Sequence, residues 1–263
     1  MSLLCIQDLS ITDVRTNTVL VKNLCFELSL GQMFGIIGES GSGKSLTCKA
    51  ILGLNPSWLK PSGSILFEGK ELIGASEITL RQVRGKKIAM VMQDAINAFD
   101  PLYRVGEQMV ESLYEVNEKS HARTRSLAWL FNMGFKEPEV VFRSYAHQLS
   151  GGMLQRVMIA LALAQETQII IADEPTSALD VIHQRQMIDI FASLRDEKRS
   201  LLFVSHDLAI VSHLADKVLV MREGEGVECQ DTQMLFENPH HDYTRYLIQM
   251  RRMLSQRFHQ CFA

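Results

Sequence analysis

Two segments of the chain carry residue types that could bind and break a phosphate chain. The first, Gly38-Glu39-Ser40-Gly41-Ser42-Gly43-Lys44-Ser45, fits the pattern G-x-x-x-x-G-K-[ST]. Its glycines let backbone N–H groups curl around a β-phosphate with no Cβ in the way, and a helix starting near Gly43 aims its positive end at the same oxygens. Lys44 suits the β- and γ-phosphates, and the Ser45 hydroxyl suits Mg²⁺. The second segment, Ile169-Ile170-Ile171-Ala172-Asp173-Glu174, is an apolar run ending in two carboxylates. A carboxylate at the C-terminal end of a parallel strand stands at the sheet edge where ligands bind. There Asp173 can hold Mg²⁺ through water and Glu174 can polarise an attacking water. Alone, this run reads as a strand capped by solvated acids. Beside the glycine-rich loop it reads as half of a nucleotide-hydrolysing site.

The elements needed to position these residues are visible in the periodicity. Leu24, Phe26, Leu28 and Leu30 alternate with Cys25, Glu27 and Ser29, a period-two strand. Met33–Ile37 is a fully apolar strand running into the glycine-rich loop, with a helix expected from Gly43 to Leu52. Gly63–Gly69 reads as a short strand and Ile88–Met92 as a buried one. A mainly helical stretch from Val105 to Ala164 includes the amphipathic pieces Val105–Val116 and Ala122–Met133. Strand character returns at Ile169–Ala172, Leu201–Ser205 and Val218–Met221, separated by helices Val181–Arg195 and Leu208–Ala215. The tail from Asp231 reads as helical and polar. Apolar strands alternating with helices predict an α/β fold with a mainly parallel core sheet covered on both faces, and a helical lobe inserted between two of its strands.

Composition narrows the classes. A chain of 263 residues can form one large domain or two small ones. Lys and Arg number 27 against 30 Asp and Glu, net −3, so no electrostatic case arises for nucleic acid or anionic lipid as the main partner. Five cysteines with no C-x-x-C suggest neither a disulfide framework nor a zinc site, and a reducing compartment fits best. The longest apolar run, Val157–Ala164, is far short of the roughly 20 residues of a membrane helix. The first residues lack the basic and apolar regions of a secretory signal. The expectation is a cytosolic protein that reaches a membrane only through a partner.

The glycine-rich loop alone leaves kinase, GTPase, helicase and transporter open. Leu149-Ser150-Gly151-Gly152-Met153-Leu154-Gln155-Arg156 decides among them, because it resembles the signature motif of ABC (ATP-binding cassette) ATPases. Physically it is a second anion site: Ser150 can cap a helix beginning near Gly151, and the glycines expose N–H groups. One ATP needs one such loop, so the second makes sense if it completes the site of another subunit. Gln93, after Ile88–Met92, resembles the Q-loop glutamine. Ser177-Ala178-Leu179-Asp180 resembles the D-loop, and His206 in Val204-Ser205-His206-Asp207 resembles the switch histidine.

The resemblance runs over residues 3–247. It implies a P-loop NTPase with an N-terminal antiparallel β subdomain and an inserted helical subdomain. The whole chain, 1–263, would be one ABC ATPase domain, with residues 1–93 and 165–235 as nucleotide-binding core, 94–164 as the helical, signature-bearing subdomain and 236–263 as a C-terminal helical tail. ATP and Mg²⁺ are the implied cofactors. Gly38, Glu39, Ser40, Gly41, Ser42, Gly43, Lys44 and Ser45 would bind ATP, with Ser150, Gly151, Gly152 and Asp180 also on nucleotide. Ser45, Gln93 and Asp173 would serve Mg²⁺, and Glu174, His206 and Gln93 catalysis. One departure stands out. Many members stack the adenine on an aromatic residue upstream of the loop, and this chain has Arg15 there, flanked by Val14 and Thr16. Arg15 could stack by its guanidinium plane.

Asn238-Pro239-His240-His241-Asp242-Tyr243-Thr244-Arg245-Tyr246-Leu247 resembles the N-P-x-H-x-Y-T-x-x-L segment of peptide- and nickel-importer ATPases, as does Ala98-Phe99-Asp100-Pro101. The paired histidines invite a metal site, but a local role at a helix start is favoured. Longer peptide-importer ATPases continue into a cysteine-bearing tail resembling an iron–sulfur site; only Cys261 stands in the corresponding region, so no cluster is expected. Length and signature lean to the nickel or metal-chelate (metallophore) branch over dipeptide and oligopeptide importers. The implied partners are two integral membrane permease subunits, a second similar ATPase (a heterodimer ahead of a homodimer) and, indirectly, an extracytoplasmic solute-binding protein, with no nucleic acid. The implied location is peripheral, on the cytoplasmic face of the inner membrane. The alternative is a non-transport ABC ATPase acting on ribosomes or DNA. Such members carry two cassettes or long coiled coils, and this acidic chain has one cassette and no extended heptads.

Overall fold

Two long strands open the chain. β1 (Ser2–Asp13) and β2 (Thr18–Ser29) pair antiparallel, joined by a tight turn at residues 14–17. The alternation read from Leu24, Phe26 and Leu28 is real, since all three are buried, whereas Leu30 falls past the strand end and is exposed. β3 (Met33–Gly38), α1 (Lys44–Ile51), β4 (Leu59–Phe67) and the two-residue β5 (Lys70–Glu71) follow. β1, a strand that periodicity did not pick out, is the bridge between β2 and β4. The computed structural model describes residues 2–113 and 119–250. They fall into two compact units, residues 2–75 with 204–250, and residues 76–113 with 119–203.

The second unit begins with α2 (Glu77–Val83), capped by Ser76, and β6 (Ile88–Val91). Then come α3 (Val105–Leu113), α4 (Lys119–Asn132), α5 (Pro138–Arg143) and α6 (Gly151–Ala164). The amphipathic pieces expected over 105–116 and 122–133 correspond to α3 and α4; Val116 lies outside the described residues. β7 (Ile169–Asp173), α7 (Val181–Ser193) and β8 (Ser200–Val204) complete the unit, with strand order β8-β7-β6 and β6 parallel to β7. Ile169, Ile170 and Ile171 are fully buried. A strand apolar at every position is what burial on both faces of a parallel sheet requires, and each such side chain contributes about 1.5–3 kcal/mol. α6 is buried along most of its length, so it too is apolar nearly all round.

The chain then returns to the first unit with α8 (Leu208–Leu214), β9 (Lys217–Arg222), β10 (Glu225–Asp231) and α9 (Thr232–Glu237), followed by helical residues 242–250. The strand order here is β5-β4-β1-β2-β10-β9-β3. β3 and β9 run parallel, β9 and β10 antiparallel, and β10 meets β2 in parallel through Glu225↔Lys22. The antiparallel strands β1, β2, β4 and β5 are the N-terminal β subdomain that was expected, and β3 and β9 keep the parallel pairing of the core. The member not foreseen is β10, whose sequence Glu-Gly-Val-Glu-Cys-Gln-Asp has no buried position and so no apolar pattern to detect. Among the described residues no helix is long and apolar enough to cross a membrane.

Candidate nucleotide site

In the first unit β3 delivers the chain into the glycine-rich loop. Gly38 has φ 149°, and a Cβ there would stand 2.1 Å from the Met221 carbonyl oxygen at the end of β9, so only glycine fits. The Ser42 N–H donates to the Glu39 carbonyl at 3.2 Å and closes the loop. The Lys44 ammonium donates to the carbonyls of Gly38 at 2.9 Å and Glu39 at 2.6 Å, and to Ser42 Oγ at 3.3 Å. Gly43 is the N-cap of α1 and offers no side-chain acceptor, which leaves the first-turn N–H groups to the loop's concave side. Ser45 sits in that first turn. His206 reaches the same neighbourhood, because the Ser205 N–H donates to the Ile36 carbonyl of β3 at 3.3 Å. Asp207 then accepts from the Ala209 N–H at 2.8 Å and caps α8, leaving the exposed His206 at the turn.

Arg15 lies in the β1–β2 turn. Its backbone N–H and Nε donate to Asp13 Oδ1 at 2.9 and 3.0 Å, and Nη2 donates to Oδ2 at 2.7 Å. These bonds hold the Asp13 carboxyl down to about 2. The guanidinium carbon lies 4.7 Å from the ring centre of Trp58, an exposed indole whose carbonyl accepts from the Val14 N–H at 3.0 Å. Sequence reasoning missed Trp58, which sits after α1 and far from the turn it supports. The strand leaving this turn runs against the loop: a Cβ on Gly43 would come within 2.8 Å of Val21 Cγ2.

The second unit brings together the remaining candidates. Asp173 is buried at the end of β7. Glu174 follows in the left-handed region at φ 47°, a turn held by the N–H and Oγ of Ser177, which donate to the Glu174 carbonyl at 3.3 and 3.0 Å. The Gln93 amide donates to Glu174 Oε2 at 3.2 Å. Met92, just before Gln93, is gripped by α6: its N–H points to Met158 Sδ at 3.1 Å and its carbonyl accepts from Gln155 Nε2 at 3.4 Å. The role of Gln155 was hidden in the sequence inside the signature motif.

Ser150 caps α6 by accepting from the Met153 N–H at 3.3 Å, as its type and position predicted. A Cβ on Gly152 would stand 2.8 Å from the Ala178 carbonyl, so the signature and the D-loop pack backbone to backbone. Asp180 is the N-cap of α7. It accepts from the His183 N–H at 3.0 Å and meets His183 Nδ1 at 2.7 Å, and these hydrogen bonds hold its carboxyl below the usual range. His240 and His241 act at a helix start: their N–H groups donate to Glu228 at 2.7 and 3.1 Å, and His241 Nδ1 accepts from the Tyr243 N–H at 3.1 Å. Among the described residues no group of three His, Cys, Asp or Glu side chains could hold a metal. An Mg²⁺ ion held mainly by phosphate oxygens and water needs no such cluster.

A glycine-rich phosphate loop with its lysine, a strand-end acid pair and a second capped helix terminus define an ATPase of the cassette class. Residues 21–177, more than half of the chain, match the family model "ABC transporter", and the chain belongs to that family. It is an ATP-binding and ATP-hydrolysing subunit of an ABC transporter. Subunits of this kind work with membrane permeases on the cytoplasmic side of the membrane. Over 261 residues it is 42% identical to the metal-staphylopine import system ATP-binding protein CntD of Staphylococcus aureus, covering 98% of this chain and 96% of that one. It is also 42% identical to the dipeptide transport ATP-binding protein DppD of Lactococcus lactis subsp. cremoris, over 87% of this chain and 67% of that protein. Among solved structures it is similar to the dimeric post-hydrolysis ATP-binding cassette MJ0796 bound to ADP and Pi, with TM-score 0.79, 26% identity and coverage of 87% and 98%.

Proposed function

We propose that this subunit powers the import of a metal chelate, with peptides as the second solute class. The observation that carries the coupling is the hold of α6 on both sides of Met92, which ties Gln93 and its partner Glu174 to the signature helix. A push on the helical lobe then moves the residue beside the catalytic carboxylate. The lean to a metal chelate rests on the similarity to the metal-staphylopine protein, 42% identical over 261 residues.

In this reading residues 38–45 cradle the triphosphate and Arg15 on Trp58 covers the adenine. Mg²⁺, when bound, neutralises charge developing on the phosphates. Ser45, Gln93 and Asp173 serve it. Glu174 polarises the attacking water and His206 contacts the γ-phosphate. Ser150, Gly151, Gly152 and Asp180 complete the ATP site of a second, non-identical ATPase. Residues 94–164 form the lobe that meets two permease subunits at the cytoplasmic face of the inner membrane, fed by an extracytoplasmic binding protein. The test is reconstitution in liposomes with the permeases and the partner ATPase. Hydrolysis should rise when the binding protein carries a metal chelate. Stimulation by a loaded dipeptide instead would reassign the solute, and co-isolation with ribosomes or DNA rather than membrane proteins would sink the transport reading.

A further inference from the structure

The segment Asn238–Leu247 marks a subfamily, yet the site described above gives it no task. Its own bonds make it a clasp. Glu228 on β10 accepts from the N–H groups of His240 at 2.7 Å and His241 at 3.1 Å. Arg245 folds back, donating to the carbonyls of Pro239 at 3.1 Å and His240 at 2.7 Å. The clasp delivers one side chain to the phosphate loop. Tyr243 is buried, its ring lies under the Arg222 guanidinium at 5.0 Å, and its hydroxyl accepts from the Glu39 N–H at 3.0 Å.

The Glu39 N–H and the Gly38 carbonyl belong to one peptide plane. That plane donates to Tyr243 on one side and accepts from Lys44 Nζ at 2.9 Å on the other. Peptide planarity makes the two bonds a single constraint: rotating the plane breaks both. Without the hydroxyl, the N–H loses its acceptor and the orientation of the Gly38 carbonyl is no longer imposed. Burial pushes the Tyr243 phenol up, so it remains a neutral hydroxyl in the working pH range.

We propose that Tyr243 is a positioning residue for ATP binding, orienting the Gly38–Glu39 peptide and through it the Lys44 ammonium. The inference rests on the assignment of residues 38–45 to the phosphates. Tyr243→Phe removes the hydroxyl and keeps the ring under Arg222. The expected result is a MgATP dissociation constant raised about 3- to 10-fold, the scale of one lost hydrogen bond. KM for ATP should rise with it, while kcat and the melting temperature stay near wild type. Arg245→Ala, which loosens the clasp and leaves the hydroxyl, should lower the melting temperature first. A Tyr243→Phe protein with wild-type affinity for MgATP overturns the proposal, whatever its melting temperature. Lys44→Ala, titrated in parallel, separates the two ideas. If it too binds normally, the phosphate-loop assignment fails; if it alone loses binding, only the role of Tyr243 fails.

Discussion

The side-chain amide of Gln93 and the carboxylate of Glu174 meet at 3.2 Å, 81 positions apart in the chain. As donor, the amide holds one carboxylate oxygen, Oε2. It also gives the carboxylate a preferred direction. Glu174→Gln should therefore keep nucleotide binding and lower turnover by a factor on the order of 10²–10⁴. Steady-state hydrolysis in the assembled transporter checks it, and a near-normal rate would pass the catalytic role to His206.

Lys44→Ala should abolish productive ATP binding. The ammonium is the only side-chain cation within residues 38–45, and a site built on charge neutralisation has no substitute for it. Isothermal titration with MgATP measures the loss.

Ser150→Arg separates binding from hydrolysis. Its own phosphate loop stays intact, so the isolated subunit should bind MgATP normally. The cap on α6 is lost, at a cost of about 0.5–2 kcal/mol, and a bulky cation enters the space where a partner's γ-phosphate would sit. ATP-dependent association and reconstituted hydrolysis should both fail. Loss of binding in the well-folded isolated variant would place the signature in its own site.

Arg15→Ala should raise KM for ATP and relax the preference for ATP over GTP. A cation–π contact is worth about 0.5–2 kcal/mol, so the effect should stay within roughly 30-fold. Trp58→Ala should act in the same direction and by less, because it removes the support and not the platform. Lowered pH does not mimic either variant in ordinary buffers. The Asp13 carboxyl is held from 3.8 to about 2, so its bond to Arg15 is complete above 3.8 and lost only as pH falls through about 2. Unchanged nucleotide preference in Arg15→Ala makes the arginine a plain partner of Asp13.

The candidate residues were legible wherever chemistry restricts the residue type at a fixed spacing. Lys44 and Asp173 stood out as candidates because few residue types suit a phosphate or a magnesium ion at that spacing, Gln93 stood out only by resemblance to a family motif, and Ser150 is the cap its type predicted. The apolar strands were legible because burial on two faces leaves no polar position. β10 was not, since a strand with no buried position bonds through its backbone and shows no side-chain pattern. Trp58 and Tyr243 were illegible for another reason. Each acts on a loop distant in sequence, Trp58 on the turn at Arg15 and Tyr243 on Glu39, and only folding makes such pairs neighbours.

The left-handed backbone at Glu174 has a genetic consequence. At φ 47° a β-branched replacement is strained, while asparagine, which enters this region readily, is accommodated. The replacements that remove the carboxylate most quietly are thus the ones the fold tolerates best. Among alleles at this codon, those that introduce asparagine should preserve the fold, and those that introduce valine or isoleucine should lower the melting temperature, which thermal unfolding of the purified variants checks.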